Sequence, residues 1–64
     1  QLQGGDVVIF STNRGNKPDH AGIYVGEQRF VHAPSTGGTV RIDTLDSSYW
    51  KSRFLTGKRV LIQR

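Results

Sequence analysis

Turn-forming residues interrupt this chain so often that no long helix or long strand fits between them. Gly4-Gly5-Asp6, the polar stretch from Ser11 to Pro18, Gly26-Glu27-Gln28 and the run from Pro34 to Gly38 each bound a short segment. The segments between them are rich in β-branched and aromatic residues, which favours strands. Val7-Val8-Ile9-Phe10 is a continuous apolar run, suited to a strand buried on both faces. His20 to Val25 gives a second strand, and Gly26-Glu27-Gln28 a tight connection into a third from Arg29 to Ala33. Thr39-Val40-Arg41-Ile42-Asp43 alternates polar and apolar, the pattern of a strand with one wet face, and Lys58 to Gln63 supplies a last strand.

One segment has a different period. Between Asp46 and Phe54, the residues Tyr49, Trp50, Arg53 and Phe54 recur at helical spacing. Asp46 or Ser47 can cap such a helix at its start, and Gly57 can stop it. The expected fold class is therefore α+β, a small antiparallel sheet of about five strands with one short helix. No repeat, low-complexity tract or linker divides residues 1–64, so they read as one unit.

Such a unit is thinly stabilised. A domain of 64 residues buries only about 60% of the surface its unfolded chain exposes. There is no cysteine to staple it, and 34% of its residues are hydrophobic. A partner surface is expected, either another segment of the same protein or another chain. Nine Lys+Arg against five Asp+Glu give a net charge of +4. The basic residues are scattered as on a solvated surface. A nucleic-acid-binding barrel would interleave aromatics with Lys and Arg on one exposed face, and here the aromatics scatter, so no nucleic-acid partner is expected. No apolar run approaches the roughly 18 residues of a membrane span, and nothing resembles a signal peptide.

The candidate chemistry lies in His20 and His32, one on each of two neighbouring strands. Strand residues alternate faces, so His20, Gly22 and Tyr24 share one side, as do Phe30 and His32. If the connection has an odd number of residues or carries a bulge, the two imidazoles lie opposite each other on one face, within reach of a ring-to-ring hydrogen bond. An even two-residue loop without a bulge separates them. Three readings of the pair follow: a half-buried histidine satisfied by backbone, a metal site with Asp19, or a catalytic base oriented by a second imidazole. The metal reading is weak, because Asp19 and His20 are adjacent and point to opposite sides of a strand.

The wider pattern is more specific. Leu2-x-x-Gly5-Asp6-Val7-Val8-Ile9-Phe10, then His20-Ala21-Gly22-Ile23-Tyr24-Val25-Gly26, then Phe30-Val31-His32-Ala33 resembles the second half of the NlpC/P60 family. The resemblance continues through Gly38-x-Val40 and Tyr49-Trp50-x-x-Arg53-Phe54 to Arg59-Val60. It implies the sheet half of a papain-like fold and a cell-wall cysteine peptidase that cleaves the γ-D-glutamyl-diamino acid bond of peptidoglycan stem peptides. The family's catalytic His matches His20 and its third polar residue matches His32. No cofactor is implied, and the site of action is the bacterial envelope, periplasmic or secreted. The family's cysteine lies in an Asp-Cys-Ser-Gly-type motif on a helix upstream of these residues. The implied partners are thus the stem peptide and that Cys-bearing helical half, in cis or as a separate chain.

Several expectations follow. His20 takes the thiol proton and later delivers it to the leaving amine, and His32 holds the ring of His20 in the productive tautomer. Without a thiol these residues alone are expected to be inactive, with Ile9, Phe10, Tyr24 and Phe30 left short of cover. Tyr49, Trp50 and Phe54 read as packing residues, and Gly22 as a place where something approaches closely. Ser35-Thr36-Gly37-Gly38 is a turn that could line a groove. The competing reading is a non-catalytic peptidoglycan-binding or regulatory module that kept this half of the fold and lost the nucleophile.

Overall fold

The computed structural model describes residues 1–13, 15–34 and 38–60. Five strands, β1 (Val7–Phe10), β2 (His20–Gly26), β3 (Arg29–His32), β4 (Arg41–Thr44) and β5 (Phe54–Lys58), form one sheet in the order β4-β3-β2-β1-β5. Every neighbouring pair is antiparallel. One short helix, α1 (Ser48–Lys51), connects β4 to β5. No helix among the described residues is long and apolar enough to cross a membrane.

The sheet has two unlike faces. Val8, Phe10, Tyr24 and Phe30 point to one side and bury there with Leu45 and Trp50, while Leu2 packs against the edge of the cluster. The rings of Phe10 and Phe30 lie 4.9 Å apart, and Phe10 meets Trp50 edge-on at 4.9 Å. Each such pair contributes about 0.5–1.5 kcal/mol beyond the area it buries. The other face carries Val7, Ile23, Val31 and Ile42 in one cross-strand row. Ile23, Val25 and Ile42 are exposed there.

Three expectations from the sequence change at this point. Phe10, Tyr24 and Phe30 are covered within the chain, because α1 and Leu45 close over them; Ile9 is half-buried on the other face. β4 does have a wet face, but it is the Ile42 side. Asp43 pairs with Phe30 across the ladder and so lies on the core side of the sheet. The last strand begins at Phe54 and ends at Lys58, ahead of the apolar run that suggested it. Residues 61–63 of that run lie outside the described residues.

The helix is also shorter than its periodicity implies. Ser47 caps it, its side chain accepting from the Trp50 N–H at 3.2 Å, and Ser52 ends it. Gly57 is no stop signal but a β5 residue, against which Leu2 packs so closely that a Cβ there would strike its side chain. Of the three aromatics read as packing, only Trp50 is buried. Tyr49 stays half exposed beneath the Arg53 guanidinium, which sits 3.7 Å from its ring centroid, and Phe54 is exposed at the margin.

The β2–β3 connection sets the site. Glu27 and Gln28 both hold positive φ (54° and 63°), forming a two-residue turn, and a bulge between Tyr24 and Gly26 restores the register. Left-handed backbone costs about 1–2 kcal/mol per non-glycine residue. Here the turn is braced: the Gln28 N–H donates to the Tyr24 hydroxyl at 3.0 Å, and the Gln28 carbonyl accepts from the Leu45 N–H and the Thr44 hydroxyl. The bulge is the reason His20 and His32 share a face despite an even turn.

Candidate active site

His20 opens β2, and the loop before it is tied down. Asp19 accepts from the Thr12 N–H and the Thr12 hydroxyl, both at 2.8 Å, while its own N–H donates to the Phe10 carbonyl. The Thr12 N–H is the main reason the Asp19 carboxyl is held below its usual range, with the Thr12 hydroxyl adding to it. With the loop fixed, the His20 ring projects onto the core side of the sheet, half-buried against Trp50. The two planes are 22° apart and the centroids 5.4 Å apart.

His32 ends β3 on the same face. Its Nδ1 lies 2.7 Å from His20 Nε2, a direct hydrogen bond between the rings, which meet nearly at right angles. The two residues share a face, but they are not directly opposed in the way the sequence led one to expect. The ladder pairs Ile23 with Val31 and Tyr24 with Phe30, so the next rung sets Gly22 beside His32 and leaves His20 on the diagonal. Gly22 makes the diagonal possible. A Cβ there would lie 2.8 Å from a Phe30 ring carbon, 3.0 Å from the Val31 carbonyl and 3.3 Å from the His32 Cβ. The close approach expected at Gly22 is therefore made by Phe30 and His32.

The second nitrogen of His32 has a partner that sequence reasoning misses. Nε2 lies 2.6 Å from Asp43 Oδ2, and Arg41 grips the same carboxylate, Nε to Oδ2 at 3.1 Å and Nη2 to Oδ1 at 3.2 Å. The imidazole of His32 is wholly buried, Asp43 is 21% exposed and Arg41 reaches into solvent. The alternation of β4 assigns its polar residues to the wet face, which hides Asp43. Trp50, legible only as packing, also forms the wall against which His20 stacks. Of the proposed groove turn, residues 35–37 lie outside the described residues, and Gly38 is exposed.

Burial is the first cause that lowers the affinity of His20 for a proton below the ordinary value of 6.5, and the neighbouring His32 adds to it. Asp19 opposes both weakly. A neutral imidazole near neutral pH, oriented by a second ring and with one nitrogen not used in that bond, is equipped to accept a proton from a group placed before it.

A family model described as NlpC/P60 family matches residues 1–59. The chain belongs to the NlpC/P60 family. It is 36% identical over 61 residues to the murein DD-endopeptidase MepH of Escherichia coli, covering 95% of this chain and 22% of that protein. It is 49% identical over 55 residues to the probable peptidoglycan endopeptidase LytE of Bacillus subtilis, covering 86% of this chain and 16% of LytE. A third relative, the E. coli murein DD-endopeptidase MepS/murein LD-carboxypeptidase, is 40% identical over 60 residues, 94% of this chain and 30% of MepS. The chain thus spans less than a third of the length of each of these three relatives. Among solved structures, an NlpC/P60 protein from Staphylococcus aureus superposes with a TM-score of 0.78 at 31% identity, over 98% of this chain and 21% of that one. An NlpC/P60 protein from Bacillus cereus gives the same TM-score at 25% identity, over 91% of this chain and 19% of its own.

Proposed function

We propose that these residues form the histidine-bearing half of a cysteine endopeptidase that hydrolyses peptidoglycan stem peptides at the γ-D-glutamyl-diamino acid bond. The observation that carries this reading is the 2.7 Å hydrogen bond from His20 to His32, in a chain whose relatives include named murein endopeptidases. The 64 residues contain no cysteine, so the nucleophile comes from a Cys-bearing helix outside them, in cis or on a separate chain.

The chemistry assigned to each group follows from its position. His20 accepts the thiol proton, and the thiolate attacks the scissile carbonyl carbon. The tetrahedral intermediate collapses as the imidazolium returns that proton to the leaving amine, giving a thioester. Water, deprotonated by His20, then releases the stem-peptide acid and frees the thiol. His32 touches no substrate; it holds the His20 ring and supports the charge the ring acquires. The place of action is the cell envelope, where the substrate is.

The test is digestion of purified peptidoglycan by the whole protein that carries these residues, with fragments identified by mass. New diamino-acid amino termini, lost on thiol alkylation and retained in the presence of a chelator, are the expected result. Binding to peptidoglycan without any cleavage would instead support the non-catalytic module, and loss of cleavage on chelation would support a metal mechanism.

A further inference from the structure

Which nitrogen of His20 is the base is decided at the far end of the hydrogen-bond chain. We infer that Asp43, held by Arg41, is a positioning residue that sets the tautomers of both histidines and leaves Nδ1 of His20 as the unprotonated nitrogen. The inference rests on the reading of His20 as a proton acceptor, but its geometry is independent of the substrate.

An ionised carboxylate can only accept hydrogen bonds. Asp43 Oδ2 stands 2.6 Å from His32 Nε2, so that nitrogen carries the proton and donates it. A neutral imidazole has one N–H, which leaves His32 Nδ1 as an acceptor. The ring nitrogen facing it is His20 Nε2 at 2.7 Å, which must then be the donor. His20 in turn has its lone pair on Nδ1, the nitrogen outside this bond. The assignment passes through two rings without a choice at either. In the opposite arrangement His32 donates from Nδ1, His20 accepts at Nε2, and the remaining proton of His20 blocks Nδ1. His20 is then no base at that atom.

Asp43 is suited to hold the first arrangement. Arg41 binds it through both Nε and Nη2, a two-point grip that fixes the plane of the carboxylate. Phe30 and Trp50 lie against His32 at ring-centroid distances of 4.5 and 4.9 Å and offer no competing acceptor. When His20 takes a proton, the charge sits on a ring whose Nε2–H still points at His32, whose own N–H still points at Asp43. The negative carboxylate thus stabilises the imidazolium through His32. No proton moves along the chain; only polarity is transmitted.

The experiment uses 15N-histidine spectra of the whole protein with its nucleophilic cysteine replaced by alanine, so that no thiolate holds His20 protonated, with and without Asp43→Asn. In the cysteine-free parent, at a pH where His20 is neutral, both Nε2 atoms should show the shift of a protonated ring nitrogen and both Nδ1 atoms that of a bare one. The asparagine amide of the variant can accept from His32 Nε2 or donate to it, so the variant should show mixed tautomers. In the cysteine-bearing protein Asp43→Asn should lower kcat by about 10²-fold, less than the roughly 10⁴-fold for a buried triad carboxylate, with KM little changed because Asp43 acts through His32. A protonated His20 Nδ1 in the neutral, cysteine-free parent overturns the inference whether or not the variant folds. So does an Asp43→Asn variant with parental spectra and kcat. If the protein proves to have no peptidase activity, the proposed function falls, while the tautomer spectra still decide this inference.

Discussion

Gly22 and His32 form the pair that shapes this site: a side chain on the glycine would start 3.3 Å from the His32 Cβ and closer still to Phe30 and the Val31 carbonyl. The empty position between His20 and Tyr24 is what allows one imidazole to reach the other along the diagonal of the ladder. A side chain on this rung would press on the His32 Cβ and on Phe30, whose ring lies against that of His32.

Gly22→Ala should therefore act twice. Overpacking a core position costs about 1–3 kcal/mol, which denaturant unfolding will register. Because the neighbouring backbone oxygen cannot rotate away, His32 or Phe30 must shift, and the ring-to-ring hydrogen bond should be lost. Activity of the folded variant should fall more than its stability accounts for, as measured by kcat on protein shown to be folded. Unchanged turnover would mean that the diagonal contact is not needed.

The roles of the two rings predict an order of damage. His20→Ala should abolish turnover in the whole protein, because it removes the group proposed to take the thiol proton. His32→Ala should leave a small residue of activity from misoriented His20. His32→Gln should retain more than His32→Ala, since its amide oxygen can still accept the His20 N–H. Steady-state kinetics on the three variants checks the ranking, and parental activity in His32→Ala would make His32 a packing residue only.

Legibility from sequence varies by element. β1 matches its apolar run residue for residue, and the family pattern brings out His20 and His32. The limits lie in register. Whether the rings meet depends on a bulge beside Gly26 that φ values reveal and composition does not. Asp43 is hidden for a related reason. In β4 Arg41 and Asp43 turn toward the histidines and Ile42 toward solvent, an inversion of the usual alternation. The helix reads too long in the sequence because Tyr49 and Phe54 have helical spacing yet stay at the surface.

The turn itself offers a stability test. Gln28 holds a φ of 63° without being glycine, so Gln28→Gly removes a backbone cost of about 1 kcal/mol. The braces engage only the backbone N–H and carbonyl of Gln28 and survive the change. The increase in unfolding free energy should be below that figure, because glycine also loosens the unfolded chain. A destabilised Gln28→Gly variant would show that the side chain carries an interaction beyond the turn.

Stability should also depend on pH through His20. Its folded-state proton affinity is lowered from 6.5, so below that pH the unfolded chain binds a proton that the folded ring resists. Stability is then fully present above 6.5 and declines as the pH falls. The carboxyls of Asp6 and Asp19, lowered from 3.8 by hydrogen bonds from Gln3 and Thr12 first, add a second decline at more acid pH. Thermal melts between pH 8 and 3, with the thiol replaced by alanine, should show the upper decline in the parent. His20→Gln should flatten it.

The most direct test of the account asks whether His20 activates a thiol. In the whole protein, iodoacetamide alkylation of the nucleophilic cysteine should proceed rapidly well below pH 8.5, the ordinary thiol pKa, because the thiolate is paired with the imidazolium. In His20→Ala the rate at pH 6 should fall by about 10²-fold, the two-unit loss expected if the thiol returns to its ordinary range. Equal alkylation rates in parent and His20→Ala, with both proteins folded, would contradict the assignment of His20 as the base.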